Sequence, residues 1–181
     1  MRVSKCKVCR TEYKKWRMTQ KVCGSVECAA EYARQVREKE ERKELRARKE
    51  KLKTRTQWLK EAQIEFNRYI RERDRDLPCI SCGRFHGGSY DAGHYRSVGA
   101  ASQLRFDEDN CHKQCVPCNQ HKSGNAIEYR RGLISKIGRE RVESLEWDDR
   151  IVKWTIEDAK RIKAEYKTKT TELIRNRKMA A

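Results

Sequence analysis

The sequence predicts an α+β fold that is mainly helical and contains two small cores, each stabilised by a bound metal ion. Nine cysteines are present, and eight of them fall into two quartets of closely spaced pairs. Long segments without Gly or Pro are rich in Glu, Lys, Arg and Ala, which favour helix. Apolar residues make up only 36% of the 181 residues, so we expect metal ions to stabilise small cores instead of one large core.

The first quartet lies in an N-terminal module that we assign to residues 1–33. Its members are Cys6, Cys9, Cys23 and Cys28. Two cysteine pairs supply four thiolates to one tetrahedral Zn²⁺ and leave no open position, which is the structural type of zinc site. The spacing predicts a zinc hairpin whose last ligand enters a helix. The basic and aromatic arm at residues 13–17 could bind DNA, or the module could only cap that helix.

A long basic helix is predicted from about residue 29 to residue 53, and residues 34–56 are assigned to a helical linker. Glu and Arg residues spaced four apart stabilise this helix. Its apolar residues form no continuous stripe, so it should be solvated or should lie along a DNA backbone. Leu45 and Leu52 could form a short coiled-coil seam, which would allow a homodimer.

The central region, residues 57–138, begins with an amphipathic helix. Trp58, Phe66 and Ile70 recur at helical spacing and should form its packing face. The helix is expected to end before Pro78, because the residue before a proline resists the α conformation.

The second quartet follows in the same region and consists of Cys79, Cys82, Cys115 and Cys118. The two Cys-x-x-Cys pairs again predict a structural zinc site. The chain between them is rich in glycine, so we expect two short strands, one at residues 90–95, and then a helix that begins near Cys118. Cys111 belongs to neither quartet and is expected to be a small buried residue.

Residues 139–181 are predicted to form a C-terminal helical region. Gly138 should end the preceding helix. Thr155 and Asp158 have the spacing of a capping box, which predicts the start of a long helix.

The charge of the chain predicts a polyanionic partner. Lys and Arg number 44 against 27 Asp and Glu, which gives a net charge of +17, and nucleic acid is the polyanion that such an excess favours. No apolar run typical of a signal peptide or a membrane span is present in this sequence. We therefore expect a reduced, cytoplasmic protein without a membrane partner, in which cysteines bind zinc and do not form disulfides.

The residues between the central cysteine pairs predict a hydrolytic site. Phosphodiester hydrolysis needs a base that deprotonates water, a group that orients this base, and a cation. His94 is the predicted base, because neutral imidazole accepts a proton near pH 7. Asn110 is predicted to hydrogen-bond its other ring nitrogen. Asp91, Asn119 and His121 are candidate ligands of a catalytic Mg²⁺ or Mn²⁺.

This arrangement resembles the HNH, or ββα-metal, nucleases. Members with four structural cysteines carry a His at the end of a strand, an Asn five residues before the second Cys-x-x-Cys pair, and the last motif position directly after that pair. In this register the motif is His94, Asn110 and Asn119. One departure is Gly93, which stands where a metal-binding Asp or His often precedes the histidine, so Asp91 could take that role from the same strand face.

A resemblance that covers more of the chain is to the lambdoid phage NinG, or Rap, proteins. It is carried by the N-terminal zinc module, by the basic helix and by the segments 71–83, 91–96, 103–106, 112–115, 118–125 and 154–157. The resemblance implies a recombination endonuclease that cleaves branched double-stranded DNA, including Holliday junctions and D-loops, in the cytoplasm of the bacterial host. It also implies that His112, beside the site asparagine, is a second catalytic histidine.

Four basic residues near the site are candidates for contacts with the DNA backbone: Arg96, Arg105, Lys113 and Lys122. Two other functions fit the same sequence. A non-catalytic zinc protein that binds DNA, such as a regulator or recombination mediator, would explain the charge and the quartets but not the spacing of His94 and Asn110. An RNA-binding or RNA-cleaving protein would fit both the charge and the motif.

Overall fold

The computed structural model describes residues 3–180. It divides into two compact units, Met1–Lys53 and Thr54–Ala181. The predicted boundary at residue 33 falls inside a helix, whereas the predicted boundary at residue 56 lies close to the division between the units. No helix in the described part of the chain is long and apolar enough to cross a membrane.

The first unit contains a hairpin and one long helix. Strands β1 (Val3–Lys5) and β2 (Glu12–Lys14) pair antiparallel, and helix α1 spans Val26–Lys51. Ser25 caps this helix by accepting a hydrogen bond from the backbone N–H of Cys28. Cys28 is also the one buried residue of α1, so the predicted entry of the last zinc ligand into a helix is confirmed.

Helix α1 begins three residues before the predicted start, because Ser25 supplies the cap. Leu45 of this helix is 52% accessible, and Leu52, which directly follows the helix, is 80% accessible. This exposure agrees with both predicted alternatives, a solvated helix and one that lies along a DNA backbone, and dimerisation through these leucines stays a prediction.

The core of the second unit lies between two long helices. Helix α2 (Arg55–Arg73) starts at a capping box formed by Thr54 and Gln57, and helix α5 spans Ile156–Ala180. Their facing residues form one apolar cluster that also contains Ala92, Phe106 and Cys111. The predicted packing face of α2 is confirmed, since Trp58, Phe66 and Ile70 are all buried.

The central hairpin lies against this core. Strands β3 (Tyr90–His94) and β4 (Cys111–Cys115) pair antiparallel, and His94 lies opposite Cys111. Helices α3 (Ala126–Ile137) and α4 (Arg139–Trp147) form a second core, which contains Leu104, Tyr129, Leu133, Val142 and Leu145. The hydroxyl of Tyr129 donates to the Gly93 carbonyl at 2.7 Å and so joins α3 to β3.

Most sequence predictions of secondary structure hold in this unit. The structure has a strand at residues 90–94, a helix end at Gly138, and a reciprocal pair of hydrogen bonds between Thr155 and Asp158. The helix expected near Cys118 is different: a π-helical turn spans Pro117–His121, and α3 starts only at Ala126. The prediction of a mainly helical α+β chain is therefore confirmed.

Candidate functional site

Both predicted cysteine quartets are clusters in the structure. In each quartet the four sulfur atoms lie within 4.8 Å of one another. The Sγ atoms of Cys9 and Cys23 are 3.8 Å apart, and those of Cys82 and Cys115 are 4.0 Å apart. A tetrahedral ion with Zn–S bonds of about 2.3 Å separates its sulfurs by roughly 3.8 Å, and a disulfide would be far shorter. Both quartets could therefore hold zinc.

The first Cys-x-x-Cys turn of each quartet has the same backbone geometry. The N–H of Cys79 donates to the Arg84 carbonyl at 3.0 Å, and the N–H of Gly83 donates to the Cys79 carbonyl at 2.9 Å. Cys6 and Arg10 make the equivalent bonds in the first unit. Gly83 and Arg10 both have a φ of 65°, a left-handed conformation that glycine adopts without steric cost.

These turns also favour the thiolate form of their first cysteine. Burial raises the pKa of Cys79, but hydrogen bonds from the backbone of Cys82, Cys115 and Ser81 lower it by more, and its pKa is below the ordinary value. Cys6 behaves in the same way: burial raises its pKa, and backbone hydrogen bonds bring it down to about 6. The thiolate is the form that binds zinc.

The second zinc turn positions the central hairpin. The N–H of Ile80 donates to the Lys113 carbonyl at 3.1 Å, and the N–H of Cys115 points at Cys79 Sγ at 3.3 Å. Helix α3 approaches the same turn through Gly132, where an added Cβ would lie 2.0 Å from the Ile80 carbonyl oxygen. The turn, β4 and α3 therefore form one rigid frame around the site.

His94 ends strand β3 and is half-buried. Its Nε2 lies 3.0 Å from the Arg105 carbonyl oxygen and donates to it, so Nδ1 carries the lone pair. Cys111 Sγ lies 3.6 Å from Nδ1, and the Phe66 ring packs 6.0 Å away, between centroids. Burial lowers the pKa of His94 below its ordinary value, which keeps the imidazole neutral at pH 7.

The side chain of Asn110 makes no hydrogen bond to His94 among the described residues, so the predicted hydrogen bond between them is wrong. Its amide instead closes the loop that follows β3: Oδ1 accepts from the Arg96 N–H at 2.8 Å, and Nδ2 donates to the carbonyls of Arg96 and Leu104 at 3.0 and 3.2 Å. Asn110 is fully buried, and these backbone groups would otherwise lack partners. The loop carries Arg105, whose carbonyl orients His94, so Asn110 acts on the histidine indirectly.

The polar side of the site is formed by Asp91, Asn119 and Gln120. The Asp91 carboxylate accepts hydrogen bonds from the side-chain amides of Asn119 and Gln120, both at 2.8 Å. Asn119 and His94 line one cavity of about 400 Å³. Asp91 is therefore linked to this cavity through Asn119, and its role as a ligand of a catalytic ion stays a prediction.

Gly93 is explained by its neighbour on β4. The Gln114 side chain crosses Gly93, and a Cβ at Gly93 would lie 2.1 Å from Gln114 Oε1. Gln114 is held there by bonds from its Nε2 to Ser81 Oγ and the Gly124 carbonyl. A metal-binding side chain therefore does not fit at this position, and Asp91 is the acidic group on this strand face.

His121 does not join the site in the way that we expected. It is exposed at the end of the π-helical turn. Within residues 3–180, the only groups of three or more His, Cys, Asp or Glu ligand atoms within 4.8 Å are the two cysteine quartets. A ligand set containing His121 and Asp91 with a third such residue is therefore not preformed.

His112 lies in a buried charge cluster and not in the cavity with His94. It is 2% exposed. Its Nε2 donates to the Asp109 carbonyl at 3.1 Å, and Nδ1 is 2.8 Å from Arg73 Nη2 and 2.9 Å from Lys136 Nζ. Burial lowers the pKa of His112, which fits an imidazole that accepts hydrogen bonds from two cations. Because both ring nitrogens are occupied, the prediction of a second catalytic histidine is replaced by a structural role.

Three of the four predicted DNA-contacting residues are engaged within the protein. Arg96 donates to the carbonyls of Leu145, Glu146 and Asp148 at the end of α4. Arg105 donates to Gln63 Oε1 and the Leu59 carbonyl on α2. Lys113 is buried, donates to the Arg75 carbonyl at 2.7 Å and lies over the Tyr90 ring. These side chains donate to acceptors within the fold, and of the four predicted residues Lys122 is the exposed one; its contact with DNA stays a prediction.

Comparison with known proteins assigns the family. A family model described as the bacteriophage lambda NinG protein matches residues 1–176. The chain belongs to the phage NinG family. Protein ninG of Escherichia phage lambda is 56% identical over 137 residues, which are 76% of this chain and 67% of that protein. Protein ninG of Salmonella phage P22 is 56% identical, and that of Escherichia phage 933W is 54% identical, each over 76% of this chain and 68% of its own length. No solved structure matches.

The NinG match covers both zinc modules and the site around His94. Cys111 is buried, as predicted, but the sequence did not indicate that it lies beside His94. Sequence reasoning missed two buried polar residues: Gln114 over Gly93, and Asp74 in the cluster around His112, which accepts from Lys136 and from the backbone of Lys113. Cys111 carried a signal, because it was the one cysteine outside the quartets. The other two are polar residues whose roles depend on packing.

Proposed function

We propose that this NinG family member is a structure-specific DNA endonuclease that hydrolyses phosphodiester bonds of branched DNA with the help of a divalent ion. One observation carries the proposal. An oriented, neutral histidine, His94, shares a cavity with Asn119, whose amide is bonded to the Asp91 carboxylate. His94 can serve as the base, and the oxygen atoms of Asn119 and Asp91 can serve as ligands of a hard ion, which are the groups that metal-assisted hydrolysis of a phosphodiester needs.

His94 would act as the general base. Its Nε2–H is held by the Arg105 carbonyl, which fixes the tautomer and leaves Nδ1 to take a proton from water. Among the described residues, Nδ1 has one hydrogen-bond partner, the Cys111 thiol, which is a weak donor at 3.6 Å. Burial lowers the pKa of His94, so the base is unprotonated at neutral pH.

Asp91 and Asn119 would hold the catalytic ion. Both offer oxygen atoms, the ligand type that Mg²⁺ and Mn²⁺ prefer, and Mg²⁺ commonly keeps several waters beside one or two protein ligands. When bound, the ion would stabilise charge that develops on the phosphate and on the leaving oxygen. His121 is not needed for such a site.

Branched DNA is the proposed substrate. The net charge of +17 favours binding to phosphates, and selectivity for a branch can come from DNA shape with few contacts to bases. Cleavage of a four-way junction on two symmetric strands would need two copies of the chain, which makes a homodimer on the junction part of this proposal.

The test compares zinc-loaded protein, with and without Mg²⁺ or Mn²⁺, on equal amounts of four-way junction, D-loop and linear duplex. We expect metal-dependent cleavage of the branched substrates. His94→Ala should abolish cleavage and retain binding, Asp91→Asn should do the same, and His121→Ala, a matched change at an exposed histidine, should cleave within about threefold of the unmodified protein. Equal cleavage by His94→Ala would refute the proposal.

A second function is favoured by one observation. This function is a zinc protein that binds DNA without cutting it. Such a protein needs no ligands for a catalytic ion, and outside the two quartets the described residues contain no cluster of three His, Cys, Asp or Glu ligands. The same assay separates the two: tight binding of branched DNA without cleavage, under every divalent ion, would favour the binding protein. Matched RNA substrates in the same series would separate both from an RNA enzyme.

A further inference from the structure

The N-terminal unit presents a loop whose chemistry the nuclease site does not use. Residues 13–20 comprise the end of β2 and the chain that leads from it to the second half of the first quartet, and we call this segment the Trp16 loop. Trp16 is 88% exposed and Met18 is 94% exposed. A tryptophan this exposed leaves a large apolar ring in water, which is unfavourable unless a partner covers it.

The Trp16 loop is held in a defined shape. The Gln20 side chain accepts from the backbone N–H of Trp16 at 3.0 Å and donates to the Val22 carbonyl at 2.9 Å. The Tyr13 hydroxyl donates to the Gln20 carbonyl at 3.0 Å. Cys9 and Cys23 flank the loop on the zinc side, 3.8 Å apart at sulfur. A rigid loop presents its ring with little loss of conformational entropy on binding.

The cations around Trp16 indicate the partner. Lys14, Lys15 and Arg17 are its nearest charged neighbours in sequence. Of the residues that the structure describes, no carboxylate lies within ion-pairing distance of these three side chains. They are therefore available to bind phosphates. The indole ring of Trp16 can stack on a nucleobase while the cations on either side bind the phosphates that flank this base.

We propose that the Trp16 loop binds an unpaired base of a DNA strand, with the indole of Trp16 stacked on the base and Lys14, Lys15 and Arg17 on the neighbouring phosphates. Bases inside a duplex are already stacked, so a free base face occurs at a branch point, a bulge or a single strand. This inference rests on the proposed function in taking DNA as the partner. It assigns part of the branch selectivity to the N-terminal zinc module.

A second exposed tryptophan provides a matched control. Trp147 is 82% exposed at the end of α4, but its neighbours are Glu146, Asp148 and Asp149. Its exposed area is similar and the charge beside it is opposite, so Trp147 should not approach phosphates. Removal of either ring should leave the fold intact, because neither belongs to a core cluster.

The test measures binding by fluorescence anisotropy with zinc-loaded, full-length protein and no Mg²⁺ or Mn²⁺. The labelled probes are a duplex with an internal bulge of unpaired nucleotides and the same duplex fully paired. Trp16→Ala should weaken binding to the bulged probe roughly five- to hundredfold, the effect typical of one base–aromatic stack, and binding to the paired probe by less than about twofold. Trp16→Phe should lose less, and Trp147→Ala should equal the unmodified protein.

Two variants and one further probe make the outcome decisive. Gln20→Ala should weaken binding to the bulged probe while leaving the paired probe unchanged, because it loosens the loop but keeps the ring. The inference is overturned if Trp16→Ala binds the bulged probe normally, or if it weakens both probes equally. It is also overturned if Trp16→Ala loses binding only to anionic lipid vesicles, which would make the loop a membrane contact.

The experiments distinguish a failure of the inference about the Trp16 loop from a failure of the proposed nuclease function. The binding assay contains no catalytic ion, so a selective loss in Trp16→Ala stands even if the protein never cleaves DNA. Conversely, normal bulge binding by Trp16→Ala, in a protein that cleaves junctions through His94, would remove this inference and leave the nuclease intact.

Discussion

Gly132→Ala should destabilise the second unit, although alanine is the better helix former. An added Cβ at this position of α3 would lie 2.0 Å from the Ile80 carbonyl oxygen and 3.2 Å from its carbon. Contacts between a carbon and an oxygen are normally longer than about 3 Å. The obstacle is backbone, which cannot rotate away, so α3 or the zinc turn at Cys79 must move by about 1 Å.

The magnitude follows from two opposing effects. Replacing glycine by alanine inside a helix contributes about 1 kcal/mol of stability, and overpacking a close contact costs roughly 1–3 kcal/mol or more. The contact is with the backbone of Ile80, in the rigid turn that carries Cys79 of the second quartet. We therefore expect an overpacking penalty in the upper part of that range. The net loss should be about 1–2 kcal/mol, which lowers Tm by roughly 3–12 °C for a unit of this size.

The assay is thermal and urea unfolding of zinc-loaded protein, together with the rate at which a chelator removes zinc. Gly132→Ala should unfold earlier and should release zinc faster from the second quartet, because α3 presses on the turn that holds Cys79. Ser135→Ala is the control, since it improves the same helix at an exposed position. A Gly132→Ala protein as stable as Ser135→Ala would refute the contact as the reason for glycine.

Four further predictions concern the zinc turns, the loop and pH. Arg10→Gly should stabilise the first unit by about 1 kcal/mol and Gly83→Ala should destabilise the second by a similar amount, since both positions have a φ of 65°; unchanged urea midpoints would contradict this. Asn110→Ala should lower the free energy of unfolding by about 2–4 kcal/mol, because three buried hydrogen bonds between its side chain and the backbone are lost. It should also reduce DNA cleavage at temperatures where the variant is still folded. Full cleavage at those temperatures would refute the role of Asn110 in orienting His94. Burial lowers the pKa of His112 below 6.5, so its contribution to stability is complete above about pH 6.5 and is lost as the pH falls toward the folded pKa; this pH dependence of the urea midpoint should weaken in His112→Gln. Chelation of zinc should unfold both modules, seen as loss of helical circular dichroism, because the four cysteines of each quartet would lose the ion that joins them.

Two of the corrections have the same physical origin. Arg96 and Lys113 looked like DNA contacts because they are cationic and lie near the site. In the fold these long side chains instead donate to backbone carbonyls at the end of α4 and after α2. A carbonyl that is removed from water and lacks a hydrogen-bond donor lowers the stability of the fold. This loss exceeds what the protein would gain by leaving the cation exposed for a contact with DNA. Charge alone therefore did not predict their role.

Asn110 gives the same lesson with a different result. Its spacing before the second cysteine pair placed it correctly in the site region, and the structure keeps it there, fully buried. Its partners are backbone groups of the loop after β3 and not the histidine. Spacing predicts where a residue lies along the chain, but the partner of a side chain depends on which polar groups the packing leaves unsatisfied.

The sequence by itself determined the two cysteine quartets, the packing face of α2, the helix end at Gly138, the helix start at Thr155, and membership of the NinG family. These features depend on spacing and periodicity along the chain, which are local properties. Only the tertiary structure decided that Arg105 orients His94, that Gln114 excludes a side chain at position 93, and that His112 is buried. Those outcomes depend on contacts between residues far apart in sequence, where packing and hydrogen-bond satisfaction select one partner among many.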